Sequence, residues 1–430
     1  MPFTWVSEDL RDTGNTAFLI ICTALVLMMT PALAFFYGGL VRAKSVISMM
    51  MLSFGSMAIV GVLWIIYGYA IAFPQIGAST TFGITGVFNI DVAHIGLENL
   101  IAVPEGATIP PLVYAAFQAT FAIITVALIS GAIADRAKFG AWMVFAGVWA
   151  TFVYFPVASW ILNYTVDPVT GERTSGGWLA FNVGALDFAG GTAVEINSGA
   201  AALALALVLG KRIGFAKGVH KPHNVPFVLL GAGLLWFGWF GFNAGSAIAA
   251  DGLAAIALIN TMAAPAAAII GWLIVERVKD GKATSVGAAS GAVAGLVAIT
   301  PSCAYLTPTW ALVLGLITGV LCALAVELKF RFGFDDSLDV VGIHLVGGLI
   351  GTIFIGLFAT EVGLLYTGSF VQLGKQGIAA GTVLVYSFVL SYAIGWAIDK
   401  TMGFRVRNED ELAGIDTVMH DEEAYDMDRY

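Results

Sequence analysis

Polar residues along this chain are confined to short breaks between long apolar runs. A helix needs about 20 mostly apolar residues to cross the hydrocarbon core of a bilayer. Eleven runs reach that length, near 16–41, 46–73, 112–134, 139–162, 192–210, 225–249, 252–276, 284–304, 308–330, 338–359 and 377–402. The pattern predicts an all-α polytopic membrane protein with about eleven transmembrane helices. The longest polar stretch is the tail after Met402. Two parts follow: a transmembrane domain, 1–402, and a cytoplasmic tail, 403–430.

Composition agrees with lipid burial. Of 430 residues, 59% are hydrophobic and 11% charged, whereas soluble domains carry roughly 25% charged residues. That excludes a soluble enzyme, a nucleic-acid binder and a disordered chain. The net charge of −9 offers no polyanion-binding surface. Cys22, Cys303 and Cys322 lie in apolar stretches and read as small core residues. Glu8, Asp9 and Asp12 precede the first apolar run, so a cleaved signal peptide is not expected.

Basic residues fix the orientation, because cytoplasmic loops collect Lys and Arg. With the N-terminus outside, only Arg11, Arg173 and Lys375 of the 20 basic residues lie outside. An odd number of spans then leaves the C-terminus inside. The 51 glycines, many within spans, predict close helix packing.

Ionisable side chains at bilayer depth are costly and mark function. Glu276, Glu327 and Asp399 sit at span ends, where snorkelling and capping account for them. Glu195 in TAVEINSG and Asp339 and His344 in DVVGIHLVGG lie deeper, with Asp187 at the mouth of the span that carries Glu195. Asp187 and Glu195 are eight residues apart, and Asp339 and His344 five. One pair falls in the fifth span and one in the tenth, as an inverted repeat with a midplane site would place them. His94, His220, His223 and His420 fall in loops or the tail. An i, i+3 metal pair at His220 and His223 is conceivable, but a solvated loop is the plainer reading.

Aromatic residues are the second signal. Phe117 and Phe121 stand one helical turn apart beside Gln118, and Trp236, Phe237, Trp239, Phe240 and Phe242 crowd the sixth span before Asn243 and Ser246. Such stripes usually face lipid or core. Facing a path, they would hold a cation through ring faces or form an apolar constriction.

Seven stretches carry a wider resemblance: AFFYGGLVRAKS (34–45), FQATFA (117–122), GALDFAGG (184–191), KPHNVPFVLLGAGLLWFGWFGFNAGS (221–246), ASGAVAGLVAITP (289–301), DDSLDVVGIHLVGGLIG (335–351) and GIDTVMHDEEAY (414–425). In number and order they resemble the ammonium transporter family over essentially the whole chain. The resemblance implies a 5+5 inverted repeat plus a last helix, assembled as a homotrimer with one pore per protomer. No cofactor, metal or enzymatic activity is implied.

Residue by residue, Ser246 resembles the outer hydroxyl that binds ammonium. Phe121 resembles the aromatic that lines that site and forms half of a gate, and Phe242 the other half. Trp239 resembles the indole below, Asp187 the carboxylate that organises recruitment from behind, and His344 the second of two pore histidines. The first pore histidine is replaced by Glu195, as in a subset of the family. A tryptophan expected near 159–162 is followed by an insertion, TVDPVTGERTSGG, which leaves Trp160 and Trp178 as candidates.

The resemblance thus implies ammonium uptake across the cytoplasmic membrane. Ammonium would be recruited outside and deprotonated, ammonia would cross the pore, and the proton would pass through Glu195 and His344 with net charge movement. The tail, with Gly414, Asp416, His420, Glu422 and Tyr425, resembles the segment used with a PII-class nitrogen-regulatory protein. An ammonium sensor signalling through that partner, or a passive ammonia channel, are the alternatives.

Overall fold

The computed structural model describes residues 12–104, 106–167, 170, 172–215 and 221–425. Ten helices are long and apolar enough to span a membrane: α1 Thr13–Leu40, α2 Ala43–Ala72, α3 Pro111–Ile133, α4 Phe139–Ile161, α5 Gly191–Leu209, α6 Val225–Gly245, α7 Gly252–Lys279, α9 Pro308–Phe332, α10 Val341–Phe358 and α11 Val371–Thr401. A shorter apolar helix, α8 Ser285–Ile299, occupies the eighth expected run. The boundaries follow local chemistry. Asp12, Asn224, Asp251 and Thr284 each turn a side-chain oxygen onto the first free N–H groups of α1, α6, α7 and α8. The last helix starts at Val371, earlier than its apolar stretch suggests, and its polar first turns carry Gln372, Lys375 and Gln376.

The helices pack as a bundle in which α1 runs along α6, α7 along α8 and α9, and α5 along α11. Their inward faces bury small residues and large aromatics, including Trp64, Trp142, Trp149 and Trp239. Large apolar side chains such as Ile66, Phe237 and Ile270 stay exposed on the outside of the bundle, as expected of helices surrounded by hydrocarbon or by other helices.

Two antiparallel hairpins close the outer end: β1 Thr81–Ile84 with β2 Phe88–Asp91, and β3 Tyr164–Val166 with β4 Arg173–Gly176. The second hairpin is the insertion. Trp178 N donates to Gly86 O at 3.1 Å and the Trp160 indole donates to Val87 O, which ties the hairpins together.

The inner end is held by charge. Arg136 is fully buried and donates to Ala132 O and Asp335 O. Arg212 grips Asp335 with Nε and Nη2, both at 2.9 Å. Two short tail helices, α12 Asn408–Ala413 and α13 Ile415–His420, dock beside this cluster.

Candidate functional site

The candidate site is an outer cavity and an enclosed apolar chamber with two stacked rings between them. Phe121 on α3 and Phe242 on α6 lie 4.1 Å apart between centroids with planes at 22°. Both are buried. Phe117 meets Phe121 edge-on at 4.9 Å, and Trp239 tilts against Phe242 at 5.6 Å. The two rings are more than 100 residues apart in sequence, so only packing of α3 against α6 brings them together.

Above the rings opens a vestibule of about 480 Å³, lined among others by Phe121, Ser246, Asp187, Gln118, Tyr114 and Tyr164. The Ser246 hydroxyl donates to Phe242 O at 2.9 Å. Its donor is thereby used, and its lone pairs remain free to accept. Asp187 forms part of the floor. Its Oδ1 accepts from Gly190 N and Gly191 N, and its Oδ2 from Thr192 N and Ala193 N, at 2.7–3.2 Å. Gly190, at φ 104°, makes the left-handed turn that points these N–H groups at the carboxylate. Asp187 thus starts α5, whose first turn, Gly191–Ile196, is π-helical and carries Glu195.

Neither tryptophan candidate reaches the vestibule. Trp160 and Trp178 pack on each other at 5.8 Å beneath the hairpins. Leu162, Asn163 and Tyr164 line the cavity instead. Tyr164 directly precedes the insertion, which supplies the Arg173 guanidinium that covers the tyrosine ring at 4.1 Å.

Below the rings is an apolar chamber lined by residues such as Leu33, Ile124, Val194, Leu235 and Trp239, with Glu195 and His344 as its ionisable side chains. It has room for about one water-sized molecule. Trp239 lies in this chamber and donates Nε1 to Thr300 Oγ1 at 2.8 Å. His344 Nδ1 and Glu195 Oε2 stand 2.7 Å apart, and both side chains are buried. A contact this short is a hydrogen bond between the imidazole and the carboxyl group. The approach needs two glycines. A Cβ on Gly199 would lie 2.4 Å from Leu345 N, and one on Gly348 would lie 2.9 Å from the Glu195 Cβ.

The structure corrects one pairing expected from sequence. The counterpart of Asp187 is Asp336, not Asp339. Asp336 Oδ2 accepts from Val341 N at 2.7 Å, the first residue of a π-helical turn, Val341–Leu345, that carries His344. Asp339 instead meets Lys329 at 2.5 Å. Of the three nearby aspartates, 335, 336 and 339, only Asp336 repeats the eight-residue spacing of Asp187 to Glu195.

The tail residues are docked. Asp416 accepts from Ile47 N and Ser48 N at the start of α2. Gly414 turns at φ 124° against Lys44, His420 packs edge-on to Phe139, and the Tyr425 hydroxyl meets His223 Nε2 at 2.9 Å. Glu422 is exposed. His223 Nδ1 lies 2.9 Å from Val41 O, so both ring nitrogens have protein partners. His220 lies outside the described residues.

Fold and site together point to a class: a multi-pass membrane transport protein in which two stacked rings part an outer cavity from an apolar chamber. The model of the Ammonium Transporter Family matches residues 17–425. The chain belongs to that family, whose members transport ammonium and are not enzymes. It is 53% identical to an ammonium transporter of Mycobacterium tuberculosis, over 97% of this chain and 91% of the relative. Identity to the ammonium transporter of Bacillus subtilis is 43%, over 96% and 98%. Among solved structures, Saccharomyces cerevisiae Mep2 superposes with a TM-score of 0.81 at 31% identity, covering 94% of this chain and 92% of that one. A protein described as a sensor Amt protein superposes at 0.85 with 27% identity, covering 95% and 98%.

Proposed function

We propose that this chain takes up ammonium across the cytoplasmic membrane by separating it into ammonia and a proton, which cross together as net charge. The observation that carries this reading is the Glu195–His344 pair directly below a closed aromatic gate. Ammonium and potassium have nearly the same charge and size, so Coulomb attraction alone does not separate them. Ammonium differs in having N–H donors and a proton to lose.

In the vestibule, Ser246 accepts an N–H and the Phe121 face holds the cation, a contact worth about 0.5–2 kcal/mol. Asp187 is already engaged by four backbone N–H groups. Its part is to hold the floor and the α5 turn in place while an N–H bond breaks beside the gate. An unpaired cation is expensive in an apolar chamber, whereas ammonia is not. Ammonia passes between Phe121 and Phe242. The proton passes to the Glu195–His344 pair and on to the inner side.

The protomers assemble as a homotrimer with a pore in each. Residues 1–402 form the transporting domain, and 403–430 form a regulatory tail that a PII-class protein engages through Gly414, Asp416, His420, Glu422 and Tyr425. A sensor reading has some support in the docked tail and in the likeness to the sensor Amt protein.

The test is the current from reconstituted protein on a solid-supported membrane after an ammonium jump, for the native chain and for Glu195→Gln. The expected result is a native current that the variant loses. No native current, with ammonia still equilibrating, would favour a gas channel or a sensor.

A further inference from the structure

The vestibule has one wall that its transport reading leaves unused. His94 follows β2 and folds back over the cavity, which it helps to line. Its ring packs on Tyr69 at 5.3 Å, and its side chain is 12% exposed. Behind it stands Asp91, with Oδ2 3.8 Å from His94 Nδ1. That is too long for a hydrogen bond and short enough for an ion pair. Nδ1 is buried and has no hydrogen-bond partner among the described residues. Asp91 is fixed independently, accepting from Ala93 N at 3.1 Å and Gln75 N at 3.3 Å.

We propose that His94, backed by Asp91, is a recruiting residue of the ammonium vestibule whose contribution depends on the charge of its imidazole. The inference rests on the reading of this cavity as the recruitment site. With a neutral imidazole, the dyad carries the single negative charge of Asp91 and draws a cation to the wall. With a protonated imidazole the dyad is neutral and the attraction is gone. Asp91 stays ionised in both states. Burial opposes its charge, but the hydrogen bonds from Thr80, Ala93 and Gln75 and the neighbouring imidazole together hold it below the usual carboxylate range.

The surroundings leave the dyad in control of this wall. The stretches packed against the 92–100 turn, 64–72, 81–84 and 111–129, contribute Tyr67, Tyr69 and Tyr114, with Glu98 on the turn itself, and none of these stretches carries Lys or Arg. Across the cavity stand Asp187 and Tyr164. Arg173 covers the ring of Tyr164 and is anchored to Ala180 O and Ala185 O.

The test is the half-saturating ammonium concentration of reconstituted protein as external pH falls from about 7.5 to about 5.5, the range in which imidazoles change charge. One unit charge acting over a distance on the order of 10 Å, through a dielectric of about 20–40, changes cation occupancy roughly four- to sixteenfold. The native chain is expected to weaken by that factor. His94→Gln keeps an acceptor of similar size without the charge change, and is expected to vary less than about twofold. His94→Ala should show the same flattened profile. Ser246→Ala should weaken ammonium at both pH values while keeping the native slope. A native slope in His94→Gln and His94→Ala would overturn the proposal. If Ser246→Ala leaves the affinity unchanged at both pH values, the recruitment reading falls and this one with it.

Discussion

Asp187 and Asp336 stand in the same relation to the Glu195–His344 pair: each lies eight residues before one member of it and accepts backbone N–H from the π-helical turn that carries it. Helices α6, α7, α8 and α9 separate the two turns, so α5 and α10 cross the membrane in opposite directions. The two turns bring Glu195 and His344 face to face. An isolated helical turn would not present its N–H groups to a single side chain. A carboxylate with two acceptor oxygens, fixed at the helix start, does so and complements the positive end of the helix.

From this follows the first prediction. Asp187→Asn keeps the shape but exchanges one acceptor oxygen for a donor, leaving two of four buried N–H groups without a partner. At about 1–3 kcal/mol for each, the loss should lower the melting temperature in detergent and abolish ammonium-driven current. Asp336→Asn disturbs the Val341 bond and should cost less. Equal melting temperatures for the two variants would contradict the four-bond account.

A second prediction concerns how the pore residues meet. Gly348→Ala puts a methyl group where the Glu195 Cβ and Ile196 N already stand, at 2.9 and 3.1 Å. The helices must part, at a cost of about 1–3 kcal/mol, and the 2.7 Å Glu195–His344 contact should lengthen. Proton-linked current should fall. In a Glu195→Gln background the same substitution should remove little further current, because both changes act on one interaction. Additive losses in the double variant would place the effect of Gly348 elsewhere.

Much of this was legible in sequence, and the reason is the solvent. Lipid demands unbroken apolar runs, so ten spans and the shorter α8 fall close to their expected positions. Glu195 and His344 stood out because ionisable groups are rare in such runs. The vestibule was less legible. Tyr164 and His94 reach it from short hairpins and loops, where no lipid-imposed period marks a side chain's direction. Asp336 was legible in its eight-residue distance from His344, but the nearer Asp339 obscured it until the Val341 N bond showed which carboxylate meets the turn.

The inner cluster gives a prediction on pH. Burial alone would raise the Asp335 carboxyl, but the hydrogen bonds and charge of Arg212, with the charge of Arg136, hold it below the usual carboxylate range. A carboxyl whose pKa is lower in the folded chain than in the unfolded one adds stability that is complete above the unfolded value, about 3.9. That stability is lost as the pH falls through the folded value. Melting temperature should therefore drop on acidification below about pH 4. Asp335→Asn should be less stable near neutral pH, by about 3–5 kcal/mol for one partner of a buried pair, and its acid slope should be shallower. An unchanged slope would assign the acid sensitivity to other groups.

The tail supplies the last prediction. Asp416 accepts from Ile47 N and Ser48 N, Lys44 Nζ donates to Leu412 O at 2.7 Å, and Arg42 donates to Glu411 O at 2.9 Å. Glu411 in turn takes Ile213 N at 2.6 Å and Arg405 at 2.7 Å. The tail is therefore bonded to the α1–α2 connection, to the start of α2 and to the residues after α5, all at the inner mouth. Asp416→Ala removes a cap worth about 0.5–2 kcal/mol, enough to release α13 without unfolding the bundle. Limited proteolysis should then cut the tail faster while the melting temperature of the core holds. If the docked tail is the surface that a PII-class protein reads, Asp416→Ala should weaken that partner's binding and deletion of 414–430 should abolish it. Undiminished binding after the deletion would make the tail a structural clasp alone.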